Sequence, residues 1–350
     1  MLRLIKSLTS PAVKRAIITT GLEVSAVLDS VGLAGKARGR GAIFTLHHVR
    51  QPFIRPFHPN DLLELTPGFL DNALGTLKAR GYDFIRLEEL PERLASSASQ
   101  PFACFTLDDG NRNNKTDAAP VFTRHGAPFT IFLTKGFIEA THSLWWETLE
   151  ALLNKTPAID FDFGLGPEPV PSATHDQKLA AYQRITDYVS TADEHHAVEQ
   201  LDTEARRHGV DPLAITRELT MRAEELRALA ANPLVSYGAH TVTHRGLARL
   251  ADAESRREIA ESTEAVLAMT GKASVGFAYT YGDARSVSAR ERQILRELGI
   301  RIGVTTRPGV IRQDMLPDLT ALPRISLNGL YQKSRYVRAL ASGIPFRVMK

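Results

Sequence analysis

Asp108 and Asp109 stand side by side at the end of the apolar run Phe102–Leu107 and are followed by Gly110, while His240 and His244, four residues apart, close a second apolar run. Two imidazoles and one carboxylate make up the three-protein-ligand set of a catalytic zinc centre, which keeps a further position open for water. The other carboxylate is then free to take a proton. Neighbouring side chains on an extended strand point to opposite faces, so both Asp can serve one cleft only where the strand turns into a loop. Asp-Asp-Gly alone is also an ordinary turn. His240 and His244 have the i, i+4 spacing that puts both rings on one face of a helix. Their joint occurrence at the ends of apolar runs favours a metal centre over either bland reading.

Three segments carry a wider resemblance: Phe105-Thr106-Leu107-Asp108-Asp109-Gly110, His240-Thr241-Val242-Thr243-His244 and Phe277-Ala278-Tyr279-Thr280-Tyr281-Gly282. With them the chain resembles the polysaccharide deacetylases, the nodulation-protein-B-like chitooligosaccharide deacetylases of carbohydrate esterase family four, over about residues 41 to 330. The resemblance implies Asp108 as general base, Asp109, His240 and His244 as metal ligands, and Thr241 as a brace for the loop between the two His. Zinc is the implied metal, although a His₂Asp set also accepts cobalt or nickel.

Three positions depart from the family pattern. Where most members have an Arg that orients the base, this chain has Ala278, and Thr280 replaces the usual Pro. The family carries a late Leu-x-His that supplies the general acid, and the late segment Leu322-Pro323-Arg324-Ile325-Ser326-Leu327-Asn328 offers Asn instead. The run Phe44-Thr45-Leu46-His47-His48-Val49 resembles the same element moved to the N-terminus, an order known in the branch acting on poly-N-acetylglucosamine, and alignment on Val49 favours His47 over His48 as the acid. Only one of two adjacent strand residues can face the cleft, which leaves His48 for packing or the surface. Arg324 is the candidate for the missing base-orienting Arg. Tyr281 precedes Gly282 at a strand end, so its backbone N–H can point into the site as an oxyanion donor.

The 350 residues are 43% apolar and 23% charged, enough for a large core in one enzyme-sized domain. The net charge of +4 is small, and the basic residues, such as Arg245, Arg249, Arg256 and Arg257 along one expected helix, are spread out, which argues against a nucleic-acid partner. Cys104 is single, lies in an apolar strand and reads as a core residue. Glu23 and Asp29 interrupt the mildly apolar stretch 12–35, so neither a membrane span nor a cleaved leader is expected. A cytoplasmic location is expected, with peripheral membrane contact through residues 1–35 as the alternative.

Alternating strand and helix patterns predict an α/β fold, a distorted (β/α) barrel of the polysaccharide deacetylase type. A helical extension over 1–40 precedes a barrel domain over 41–340, with a helical insertion over about 145–227 that caps the barrel mouth or lengthens the substrate groove. Thr66-Pro67 opens a helix as cap and first residue, and Gly81 closes it. In the insertion, His175, His195, His196 and His208 read as solvated, as do His58 and His142 in loops without partners. Trp145-Trp146 can stack on a sugar ring but read more simply as buried. The expected activity is hydrolysis of N-acetyl groups on an amino-sugar oligo- or polysaccharide. The competing readings are a carbohydrate-binding protein that has lost turnover, suggested by Ala278 and Asn328, and a metal-dependent hydrolase of a non-sugar amide or ester.

Overall fold

Gly41–Leu46 (β1), Phe102–Leu107 (β2) and Phe129–Leu133 (β3) are apolar or β-branched almost throughout and buried along their whole length. Strands with no solvent-facing side belong in a parallel sheet covered on both faces. Four more follow: Val235–Ala239 (β4), Phe277–Ala278 (β5), Gly303–Pro308 (β6) and Leu322–Ser326 (β7). In this computed structural model, which describes residues 11–52 and 55–348, each strand pairs in parallel with the next and β7 returns to β1. The result is a closed seven-stranded barrel. The β1–β2 register runs without a break from Gly41 opposite Phe102 to Leu46 opposite Leu107, which brings the ends of these two strands level. A two-residue strand, Asp83–Phe84, pairs with the start of β2.

Helices cover the barrel. Pro67–Ala79 begins as its sequence requires, with the Thr66 hydroxyl accepting from Phe69 N at 3.0 Å and Pro67 at the first position. Several elements are shorter than their patterns suggest. The apolar pattern of Tyr82–Leu87 predicts a longer strand than the observed Asp83–Phe84, and that of Val275–Tyr279 a longer one than Phe277–Ala278. The sequence pattern predicts a helix near Thr116–His125, and the structure begins it with a wide turn at Asn114–Ala118 before Ala119–His125.

Between β3 and β4 the chain leaves the barrel. Helices Trp145–Lys155, His175–Val189 and Glu194–Arg207 close around their own core of Leu149, Leu153, Phe161, Ile185 and Leu201. The Gly/Pro-rich stretch Gly164–Pro171 reads in sequence as an interruption of the helices, and it belongs to an antiparallel hairpin of Ala158–Asp162 with Pro167–Pro171. Its prolines hide it from a strand pattern, because proline supplies no ladder N–H and is confined to edges such as this one. Cys104 is buried in β2, as expected.

The N-terminal helix, Pro11–Ser30, lies against the C-terminal helix Ser334–Ala341: Leu22 and Ala26 pack on Tyr336 and Ala339, and Arg335 makes two hydrogen bonds to Glu23 at 2.7 and 2.8 Å. Its inward side is therefore committed to protein packing, and membrane contact through it is not supported. No helix among the described residues is long and apolar enough to cross a membrane. The first ten residues of the expected extension lie outside the described residues. Of the four Arg expected on one helix, only Arg256 and Arg257 are on Asp252–Thr270; Arg245 and Arg249 sit in the preceding loop and bind Glu254 and Glu194.

Candidate active site

Because all seven strands run parallel, their carboxyl ends open on one side, where a barrel gathers its functional groups. His47 follows β1, Asp108 and Asp109 follow β2, His240 follows β4, Tyr281 lies just beyond β5, and Arg324 is within β7. All but Arg324 line one cleft of about 760 Å³.

The two Asp reach a single site through backbone conformation. Asp108 N still bonds Leu46 O at 3.0 Å, the last rung between β1 and β2. Asp109 then takes φ 73°, and Gly110 follows at φ 71°. A non-glycine residue in this left-handed region is uncommon and costs energy that the surroundings must offset. Gly110 has a second reason to be glycine: a Cβ there would lie 2.8 Å from Ile138 and 3.0 Å from Leu133.

The His-x-x-x-His segment is a loop and not the helix its spacing suggests, with Thr241 and His244 both at positive φ. Its shape comes from hydrogen bonds. The Thr241 hydroxyl donates to His240 O at 2.6 Å and accepts from His244 N at 3.0 Å. The Glu258 carboxylate accepts from Val242 N and Thr243 N at 2.7 and 2.9 Å and from the Thr243 hydroxyl at 2.7 Å. Glu258 has no sequence signature, since it acts from the following helix.

Asp109, His240 and His244 are all buried, and their ligand atoms lie within 4.8 Å of one another. Asp109 Oδ1 is 3.6 Å from His240 Nε2 and 3.4 Å from His244 Nε2. Ligands about 2.1 Å from a tetrahedral zinc stand about 3.4 Å apart, so the spacing fits. His240 Nδ1 donates to Ala278 O at 2.6 Å, and since a carbonyl can only accept, the Nε2 lone pair is left facing Asp109. Burial drives the His240 pKa down to about 4, which keeps that ring neutral. Asp109 Oδ1 is buried with no hydrogen-bond donor. An orphaned carboxylate oxygen facing two imidazoles is costly unless a cation compensates it. The donor set therefore fits a divalent metal ion. Rings of Phe137, Trp146 and Tyr281 surround His244 at centroid distances of 5.0–5.3 Å and fix its orientation.

Asp108 has different neighbours. Arg324, 1% exposed, donates Nη1 to Oδ1 at 2.8 Å and Nη2 to Oδ2 at 2.7 Å, a bidentate pair inside the barrel. Its Nε donates to Thr305 O at 2.9 Å, and Nη1 donates also to the Thr106 hydroxyl at 3.0 Å. Burial by itself would raise the Asp108 carboxyl, but the Arg324 charge outweighs it and holds the group below its ordinary value. Arg324→Met should consequently lower stability by about 3–5 kcal/mol, the scale for leaving one member of a buried pair alone. It should also move the acidic limb of kcat/KM to higher pH, because an unpaired buried carboxylate ionises later. Chemical denaturation and a pH–rate profile read the two effects separately.

His47 is partly exposed, with Nε2 4.0 Å from Asp108 Oδ2. His48 points the other way: it is buried, its Nδ1 is 2.9 Å from Asn113 Nδ2, and burial drives its pKa down to about 3. Asn328 caps the turn Gly329–Tyr331 by accepting from Leu330 N at 3.2 Å. Tyr281 sits at φ 57°, and its N–H makes no backbone hydrogen bond among the described residues. Its hydroxyl donates to Glu194 at 2.5 Å, and burial with the Glu194 charge raises its pKa well above the ordinary value, so the phenol stays protonated. Glu194 lies in the insertion, where spacing gave no functional signal. It also accepts from Gly246 N at 3.0 Å and from Arg249, tying the insertion to the loop after His244.

Trp145 and Trp146 are each 7% exposed; Trp145 donates to the Tyr281 hydroxyl at 3.1 Å, so packing accounts for both. His58 and His142 do have neighbours, Asp61 at 3.2 Å and Thr141 at 3.0 Å.

Residues 174–303 match the family model of the polysaccharide deacetylases. No curated protein matches the chain. Among solved structures, the chain is similar to the deacetylase PplD of Streptococcus pyogenes in complex with acetate, at 16% identity and TM-score 0.54 over 83% of this chain and 92% of that one. It is also similar to IcaB of Ammonifex degensii, at 16% identity and TM-score 0.53 over 86% and 98%. A polysaccharide deacetylase of Bacillus cereus gives 16% identity and TM-score 0.52 over 87% and 68%. At such identities these structures speak for the fold, and they share the barrel described above. Residues 174–303 are therefore similar to a polysaccharide deacetylase domain, and the chain as a whole has the barrel fold of the deacetylases of known structure.

Proposed function

We propose that the chain hydrolyses the N-acetyl group of an amino sugar in an oligo- or polysaccharide, releasing acetate and a free amine. The observation that carries this reading is the convergence of Asp109, His240 and His244 beside an Asp108 already paired with Arg324. A divalent cation held by those three residues would supply Lewis acidity to a water and to the amide carbonyl. Zinc is the default, with cobalt or nickel as alternatives.

The chain's own groups do the rest. Asp108, kept ionised and oriented by Arg324, takes the proton from the attacking water. The Tyr281 N–H donates to the carbonyl oxygen as negative charge develops there. His47 gives a proton to the nitrogen as the C–N bond breaks. This puts the acid on the first strand, the permuted order of motifs. The binding-only reading drew on Ala278 and Asn328; Arg324 and His47 beside Asp108 favour turnover instead.

Acetate release from N-acetylated chitooligosaccharide and poly-N-acetylglucosamine, set against simple amides and esters, tests the reading. Sugars should be turned over and non-sugar amides should not; the reverse ranking would assign the chain to another hydrolase class. The acid has its own test. His47→Ala should lower kcat on a sugar amide by roughly 10²–10⁴-fold, the range for losing a general acid, yet barely affect 4-nitrophenyl acetate, whose leaving group needs no proton. His48→Ala should leave the ratio of the two activities unchanged. Equal losses on both substrates for His47→Ala would make that residue merely structural.

A further inference from the structure

The cleft is more apolar than a glycan alone requires. Besides the reacting groups it is lined by Ile18 and Leu22 of the N-terminal helix and by Leu340 and Phe346 near the C-terminus. These residues belong to one corner of the molecule, where the N-terminal helix packs on Ser334–Ala341, the helix that follows β7. The strand β7 neighbours β1, at whose end His47 stands. The apolar arm therefore adjoins the side of the site that protonates the leaving amine. The opposite side, where His244, Trp146 and Tyr281 pack together, belongs to the β4 and β5 ends and the insertion. On the outside of the N-terminal helix, Ile17, Val24 and Val27 are exposed, as is Val31 just after it, so apolar character continues beyond the cleft wall.

A chain of sugar rings laid along this arm would bring hydroxyls against aliphatic side chains that cannot hydrogen-bond them. A hydrocarbon chain has no such cost, and burying it is favourable in proportion to its length. We propose that the substrate is an amphiphile, an N-acetylated amino sugar carrying a hydrocarbon chain on the sugar side, with the chain held in the arm formed by Ile18, Leu22, Leu340 and Phe346. This rests on the deacetylase reading and narrows its substrate class. The reaction is unchanged: water adds to the amide carbonyl, the C–N bond breaks, the nitrogen takes a proton, acetate leaves, and the alkyl chain stays on the sugar.

The test is acetate release by the full chain, loaded with zinc, from the methyl, butyl and octyl glycosides of N-acetylglucosamine below micelle-forming concentrations. kcat/KM should rise with chain length, by about 30-fold or more from methyl to octyl, the scale for burying part of a seven-methylene extension. Ile18→Asn and Phe346→Ser should each flatten that rise without changing turnover of the methyl glycoside. A measurement on the unaltered protein guards against variants that misfold: octyl glucoside, which has no acetamido group, should inhibit competitively where methyl glucoside does not. Turnover of all three glycosides at equal kcat/KM, with no inhibition by octyl glucoside, would overturn the amphiphile proposal and leave the deacetylase reading standing. Acetate release from none of them, and none from chitooligosaccharide, would overturn the deacetylase reading and the substrate assignment with it.

Discussion

Asp108→Asn is expected to lower turnover by about 10²–10⁴-fold or more, the range for a lost general base, while the protein keeps its metal and its fold. The amide retains one acceptor for Arg324 but no charge and no proton affinity of use. Some stability goes with the ion pair, because the Arg324 guanidinium stays 1% exposed and loses its counter-charge. Asp109→Asn is expected to behave differently. Its Oδ1, 3.6 and 3.4 Å from the two imidazole nitrogens, is part of the proposed ligand set, so metal and activity should be lost together. Metal content measured on both purified variants separates the two roles. Equal metal loss would mean that the two carboxylates share one function.

The second large effect concerns the imidazoles. His240→Ala or His244→Ala leaves a two-ligand site, and activity should fall to background with the metal lost. His240→Ala also removes the hydrogen bond to Ala278 O that ties the end of β4 to β5. His244→Ala opens a gap among Phe137, Trp146 and Tyr281. Both variants should still fold, since the barrel core lies below these residues, and circular dichroism would verify this. Elemental analysis that finds full zinc occupancy in His244→Ala would contradict the ligand assignment.

Much of this architecture is legible in the sequence, and the illegible parts have physical reasons. Strands such as Phe102–Leu107 and Phe129–Leu133 are buried on both faces, so unbroken apolar runs mark them clearly. The strand Leu322–Ser326 carries a proline and an arginine, and no periodic pattern reveals that Arg324 points inward to meet Asp108 across 216 residues. Its candidacy came from a gap in a motif at Ala278 and not from a pattern of its own. The hairpin Ala158–Asp162 with Pro167–Pro171 is hidden by its prolines. Local spacing misleads at His240 and His244, where a helical period is produced by a loop with two residues at positive φ. Glu194 and Glu258 are invisible for a related reason. Each is a single carboxylate on a helix, and only the tertiary fold brings one to Tyr281 and the other to Val242 and Thr243.

Reconstitution tests the central claim, that Asp109, His240 and His244 hold the metal on which hydrolysis of an N-acetylated sugar depends. The protein is stripped with a chelator, titrated with zinc, and assayed for acetate release from N-acetylated chitooligosaccharide at each step. Activity should vanish on stripping and return in proportion to bound zinc, reaching a plateau at one ion per chain, and His244→Ala should bind none and regain nothing. Acetate release that persists undiminished in the stripped protein, or that returns in His244→Ala on adding zinc, would contradict the account.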